Sequence, residues 1–262
     1  MKNDKAPLSV AIITRNEEVM LPDCLTSVSF AEDIVVVDSG STDRTVELAE
    51  EFGCRVFTEP WKGFGPQKQS AVLKCRHDWV LVLDADERIP EETREAIINV
   101  VRNTTSDADA YRFPRKAYFN GRWIRHCGWW PDEIIRFFKK EHGAVNGRAV
   151  HERVDIRGTV KNLSGPIIHY PARDTKTLID KINSYSSLGA EELFKSGKRS
   201  SMVKAVTHAA MSFIKGYIIK KGFLDGKEGF IITLTGAATT YYKYIKLIEM
   251  HDSANRSRQE II

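Results

Sequence analysis

Two aspartates separated by one residue, Asp84-Ala85-Asp86, stand directly after the apolar run Trp79 to Leu83. In an extended segment the side chains at i and i+2 point the same way, so both carboxylates can face one hard divalent cation, or a cation and a sugar hydroxyl together. A cation held by one or two carboxylates completes its shell with water and substrate phosphate, as Mg²⁺ and Mn²⁺ do. Asp38 is another acid at the end of an apolar run, Asp33 to Val37, and lies too early to cap the next helix. Its carboxylate could accept a uracil imide N–H or a ribose hydroxyl. Ser41, Thr42 and Asp43 suit either such a ligand or an ordinary helix start. Thr14-Arg15-Asn16-Glu17 follows a third apolar run, Leu8 to Ile13. Taken singly, each group can also be read as solvated loop side chains; their shared place after buried runs argues for chemistry.

These loops need a scaffold, and the flanking residues supply one. Strands are expected at Leu8 to Ile13, Asp33 to Val37, Arg55 to Thr58 and Trp79 to Leu83. Helices are expected at Glu17 to Val28, Thr45 to Phe52 (capped by Ser41 or Thr42 and ended by Gly53), Gln67 to Lys74, and Pro90 to Val101. Alternation of short apolar runs with helical periods predicts an α/β fold with a mainly parallel sheet. In such a sheet ligands bind beyond the carboxyl ends of the strands, so the three polar loops are expected on one rim. From Ala110 aromatic and basic residues alternate, which predicts antiparallel strands extending the same sheet, and after about Thr175 the pattern is helical.

The 262 residues, 42% hydrophobic and 28% charged, suffice for one large domain, or one domain with an appendage, and exclude a disordered chain. The expected division is 1–174 (a nucleotide-sugar half 8–102 and an acceptor half 103–174) and a helical region 175–262. No stretch approaches the roughly 18 to 20 apolar residues of a membrane span. A net charge of only +4 argues against nucleic acid as a partner. Cys24, Cys54, Cys75 and Cys127 form no C-x-x-C pair and read as free thiols of a reducing compartment; the N-terminus lacks a signal-peptide pattern, so the cytoplasm is expected.

TRNEE after the first strand, VVVDSGSTDRT after the second, GPQKQSAV before the fourth and LVLDADE after it resemble glycosyltransferase family 2, whose members have the GT-A fold. The resemblance covers roughly residues 8–170. The pieces WWPDEIIRFFKK, GRAVHERV and GFLDGKEGF are similar, more narrowly, to bacterial enzymes that add glucose to heptose in the lipopolysaccharide inner core. The resemblance implies a metal-dependent enzyme using Mg²⁺ or Mn²⁺ and a UDP-sugar donor. It implies that Thr14, Arg15, Asn16, Glu17 and Asp38 hold the uridine, that Gln67 and Lys68 lie near the donor, and that Asp84 and Asp86 form the D-x-D, with Asp86 the principal metal ligand. A divalent ion and basic side chains would stabilise the departing diphosphate.

Transfer also needs a base for the acceptor hydroxyl. The Glu-Asp pair that carries it in many family members has no clear copy here, leaving Asp132 and Glu152. Glu152 is favoured, because His151 beside it suits the late histidine by which GT-A enzymes often hold the metal. Asp132 or Glu133 could equally pair with Arg136, and His151 could be a core imidazole. Trp129 and Trp130 suit sugar stacking or core packing. Arg112, Arg115, Lys116, Arg122 and Arg125 suit a phosphorylated acceptor or a solvated sheet face. Open alternatives are transfer to a polyprenyl phosphate or a protein, and a non-catalytic sugar-nucleotide-binding protein. A nucleotidyltransferase is disfavoured, since no Gly-rich, Lys-containing loop opens the first helix.

Between Glu192 and Asp225 stand seven basic residues and no acid. Val203, Val206, Ala210, Phe213 and Tyr217 recur at alternating spacings of three and four, an apolar helical stripe beside those cations. Gly229 to Leu247 offers a second such element. The stripe suits an anionic inner-membrane surface on the cytoplasmic side, where a lipid-linked glycan acceptor would lie. It equally suits packing against the catalytic domain or a second subunit of a homo-oligomer.

Overall fold

The computed structural model describes residues 5–103, 107–146, 153–172 and 174–259. The chain divides into two compact units, Met1–Lys116 with Asp132–Tyr170, and Ala117–Pro131 with Pro171–Ile262.

The first unit opens with β1 (Ala6–Thr14), α1 (Leu21–Ser27), β2 (Ala31–Asp38), α2 (Thr45–Glu51), β3 (Arg55–Thr58), α3 (Phe64–Lys74) and β4 (Trp79–Asp84). β1 pairs in parallel with both β2 and β4, and β2 with β3. After β5 (Glu87–Arg88) and α4 (Glu91–Arg102) come β6 (Ala110–Phe119), which runs on into the second unit, then β7 (Arg122–Trp123) within that unit. The first unit resumes with β8 (Asp132–Lys139), β9 (Gly143–Val145), β10 (Val154–Ile156), β11 (Val160–Asn162) and β12 (Ile167–His169). β8 pairs antiparallel with β4 and with β6, so the aromatic and basic segment extends the sheet as its alternation predicts. The strand order is β3-β2-β1-β4-β8-β6-β12-β5.

Apolar residues fill both sides of the central strands, which is why these segments read as unbroken runs. Val10, Ile12, Leu81 and Leu83 pack with Leu21 and Leu25 of α1 and Ile97 of α4. Ala11, Val35, Val37, Val80 and Val82 pack with Ala71 and Val72 of α3. Among the described residues all four cysteines are free, and burial pushes the Cys54 and Cys75 thiols up to about 12.

Two local expectations are corrected. The first helix begins at Leu21 and not at Glu17, because the backbone N–H groups of Asn16, Glu17 and Glu18 donate to Ser41 Oγ, Thr45 Oγ1 and Asp43 Oδ2. An amide engaged across to the next loop has no need of a helix around it. α2 starts at Thr45 as expected, but neither Ser41 nor Thr42 caps it; the Thr45 N–H donates to Asp43 Oδ1 instead. Gly53 does end that helix, in a left-handed conformation with φ +78°.

The second unit contains α5 (Thr175–Lys195), α6 (Met202–Ile214) and α7 (Gly226–Gln259), with a π turn at Lys215–Ile219 and a 3-10 turn at Gly222–Asp225 between the last two. Asp174 and Ser201 cap α5 and α6 by accepting from the Thr177 and Lys204 N–H groups. Lys246 of α7 donates to the Asn183 carbonyl and to the Ser186 and Ser187 hydroxyls of α5. Of the stripe expected on α6, Val203, Val206 and Ala210 are exposed. Phe213 and Tyr217 turn partly inward and meet Phe230 of α7 at ring-centroid distances of 5.8 and 5.7 Å, while Met211 and Ile214 are exposed beside Val203 and Val206. No described helix is long and apolar enough to cross a membrane.

Candidate active site

Sheet register brings the three polar loops to one rim. Thr14 at the end of β1 is paired with Asp38 at the end of β2, and Ile13 with Asp84 at the end of β4. The loops after β1 and β2 are then tied together. The Asn16 side-chain oxygen accepts the Thr42 N–H at 2.8 Å, and Asn16 itself has φ +57°. Asp38 is 1% exposed and accepts four donors within these loops: Thr14 Oγ1 at 3.0 Å, the Gly40 and Ser41 N–H groups at 2.8 Å, and Ser41 Oγ at 2.5 Å. Its carboxylate therefore shapes the loop. Arg15 and Asn16 stand exposed beside it.

The two acids of the D-x-D have different surroundings. Asp84 meets Lys68 Nζ at 2.7 Å and Arg136 Nη2 at 2.6 Å. Burial would raise its pKa, but the two neighbouring cations prevail and hold the carboxyl well below the usual carboxylate range. Arg136 Nη2 also meets Glu87 at 3.0 Å; Glu87 in turn meets Arg115 at 3.4 Å, and Arg115 meets Asp132 at 2.5 Å. Lys68, Asp84, Arg136, Glu87, Arg115 and Asp132 thus form one chain of alternating charge, three cations to three carboxylates. Glu87, Lys68 and Arg136 are buried within it. Such groups are retained at low dielectric only when paired, so the chain fixes the end of β4 rigidly.

Asp86 meets a histidine. Its Oδ2 lies 3.5 Å from His169 Nε2, at the end of β12. Pairing of His169 with Glu87 across β12 and β5, and the Tyr170 N–H bond to the Asp86 carbonyl at 2.9 Å, set this approach. Carboxylate oxygen and imidazole nitrogen together suit Mn²⁺ or another borderline divalent ion. Among the described residues no group of three His, Cys, Asp or Glu side chains is arranged around one point.

The other expected residues fall as follows. Lys68 serves Asp84; the adjacent Gln67, fully buried, accepts the Lys62 N–H through Oε1, and its Nε2 is buried without a protein partner. Buried amides of this kind are nearly always satisfied, so this donor is available to a ligand or water. His151 and Glu152 lie outside the described residues. Asp132 is bound by Arg115 and Glu133 by Arg112, while Arg136 meets Asp84 and Glu87. In the second unit Trp130 meets Trp123 edge to face at 5.2 Å, Trp129 packs against the cluster of Phe119, Ile124 and Ile232, Arg125 lies over Trp123 and Arg122 donates to the Leu224 carbonyl. Glu87 and His169 carry no signal in the sequence, and Arg136 is marked there only as a partner for Asp132 or Glu133. His169 does follow a short apolar run as the other rim residues do, but a lone histidine there carries no spacing signal.

A parallel half with loops converging at its strand ends, continued by antiparallel strands and an acid pair at the junction, defines a GT-A glycosyltransferase fold. Residues 9–155 match the sequence model of glycosyl transferase family 2, and the chain belongs to that family. LpsC, a lipopolysaccharide core biosynthesis glycosyltransferase of Rhizobium meliloti, is 31% identical over 94% of this chain and 94% of its own. An uncharacterized glycosyltransferase of Rickettsia typhi is 29% identical over 97% of this chain and 90% of its own. The crystal structure of S. aureus TarS 1–349 is similar with a TM-score of 0.46 at 15% identity, covering 94% of this chain and 91% of that one.

Proposed function

We propose that this glycosyltransferase moves a hexose, glucose in the first instance, from a UDP-sugar to a heptose of the lipopolysaccharide core, with inversion at the anomeric carbon. The observation that carries the reading is the register of Thr14, Asp38 and Asp84 on one rim with the Asp86 and His169 pair beside them. The near full-length similarity to LpsC supports the acceptor class.

In this reading Thr14, Arg15, Asn16 and Glu17 cradle the nucleotide on a loop that Asp38 holds in shape, and the Gln67 amide completes a contact to the donor. Asp86 and His169 would hold a divalent cation, which supplies Lewis-acid stabilisation of the leaving diphosphate when bound. Asp84 acts through Lys68 and Arg136, fixing both positive charges near the same diphosphate. His151 would add a further donor. A carboxylate, Glu152 or Asp132, accepts the acceptor's hydroxyl proton; the oxygen attacks C1 from the face opposite the diphosphate, and the C1–O bond to UDP breaks as the new bond forms. One displacement inverts the centre. A lipid-linked acceptor places the enzyme at the cytoplasmic face of the inner membrane.

The test is nucleoside diphosphate release from a panel of nucleotide sugars, with Mn²⁺ or Mg²⁺ and a heptose-containing lipid acceptor. UDP-glucose should be preferred, chelation should stop turnover, and Asp86→Ala should lose about 10³-fold in kcat. Glu152→Gln should bind donor and turn over poorly. An inactive Asp132→Asn beside an active Glu152→Gln would make Asp132 the base. Turnover with a polyprenyl phosphate alone would move the acceptor class.

A further inference from the structure

Helix α6 is built inside out. It lies along α7, yet apart from Phe213 and Tyr217, which turn partly inward, the residues it turns inward are small: Ala205 is fully buried, and Ala209, Ser212 and Gly216 follow at intervals of four and three on the same face. The approach is close enough that a Cβ added at Gly216 would come within 2.9 Å of the Thr233 side chain. The large aliphatic residues face water. Val203 is 73% exposed, Val206, Met211 and Ile214 of the same helix are exposed with it, and so are Ile219, at 67%, and Leu224 in the turns before α7. Soluble domains rarely leave so many large apolar residues of one short segment uncovered unless something docks there.

Charge indicates what docks. Lys204, Lys215, Lys220 and Lys221 are exposed along the same segment, while the nearest following acids, Asp225 and Glu228, are 2% and 5% exposed. Asp225 is further engaged by His126 and by the backbone N–H groups of Arg125 and His126. The strip is therefore apolar and cationic with no exposed acid on it. A second copy docking by the same face would set lysines against lysines across a two-fold axis. Acidic lipid headgroups neutralise the lysines while the acyl boundary accepts the apolar residues. At 13 residues, α6 is about 20 Å long, short of the roughly 30 Å of a bilayer core, so it would lie in the membrane plane.

We propose that the face of α6 and the turns after it, carrying Val203, Val206, Met211, Ile214 and Ile219 with their flanking lysines, is a docking surface for an anionic lipid bilayer. This goes beyond the transfer reaction and deepens the membrane location proposed with it. Lysines snorkel to the headgroups while the strip enters the interface.

The full chain is to be sedimented with vesicles of phosphatidylcholine alone and of phosphatidylcholine mixed with phosphatidylglycerol. No sugar nucleotide and no glycan acceptor is present, so the result is independent of what the active site transfers. Binding is expected to the mixed vesicles, weakening with salt, and not to the neutral ones. Replacing Lys204, Lys215, Lys220 and Lys221 by Gln should weaken it by about fivefold for each lysine. The double variant Val203→Asp/Val206→Asp changes only exposed side chains, should keep the wild-type circular dichroism, and should lose binding. No sedimentation with either vesicle, or equal binding to both, would overturn the proposal. So would a wild-type dimer that the double variant dissociates without any lipid binding, which would make the face a subunit interface.

Discussion

The two units solve the burial problem in opposite ways. In the first, large side chains such as Leu81, Leu83, Phe113 and Phe137 are fully enclosed, and buried charged groups are gathered into bonded networks. One network is the alternating chain from Lys68 to Asp132 at the carboxyl ends of the strands. Another lies at their amino ends, where Asp33 accepts Ser9 Oγ at 2.6 Å and pairs with Arg55 at 2.8 Å. In the second unit, α6 encloses alanine, serine and glycine and leaves valine, methionine and isoleucine outside. The same residue types thus have opposite roles: apolar bulk fills the core of the first unit, as it does in the Phe119, Ile124 and Ile232 cluster of the second, but stands exposed on α6.

The comparison can be broken by substitution. The largest stability effect is expected from Glu87→Gln, which strips a buried carboxylate from Arg136 and Arg115; removing one partner of a buried ion pair costs about 3 to 5 kcal/mol. Urea denaturation measures it, and an unchanged midpoint would mean that the charge chain does not stabilise the rim. Leu83→Ala should cost about 3 kcal/mol through the cavity it leaves under α1 and α4. Val203→Ser, by contrast, should stay within about 0.5 kcal/mol in the same assay while weakening vesicle binding. Equal losses in the two variants would abolish the distinction between the units.

Acid sharpens the comparison further. Asp33 is subject to burial, which raises its pKa, and to Arg55, Ser9 and the Arg76 N–H, which together lower it. Asp84 is depressed likewise by Lys68 and Arg136. A carboxyl with a depressed folded pKa contributes stability that is full above its unfolded value, near 3.9, and lost as pH falls through the folded one. Stability should therefore be insensitive to these groups from neutral pH to about 5 and fall below about 4. Asp84→Asn should be destabilised at neutral pH, with the gap to wild type closing in acid.

Much of the first unit was legible because its signals are local. A buried parallel strand needs only its own apolar run to be recognised, and the residue that follows such a run must lie at the strand's end, as Thr14, Asp38 and Asp84 do. The first helix was expected four residues too early because the competing bonds of Asn16 to Glu18 come from residues more than twenty positions away. The Arg136 pairings with Asp84 and Glu87, and the meeting of Asp86 with His169, likewise join residues far apart in the chain. No periodicity encodes them.

The amino-acid order alone determined the alternation of elements, the rim acids and the stripe of apolar residues near the C-terminus. Tertiary structure alone decided how the D-x-D acids divide their work, which histidine stands beside Asp86, and which way α6 faces. The physical reason is that periodicity reports that side chains share a face but not whether that face is covered. Coverage, like the pairing of charges, is a property of which distant segments meet.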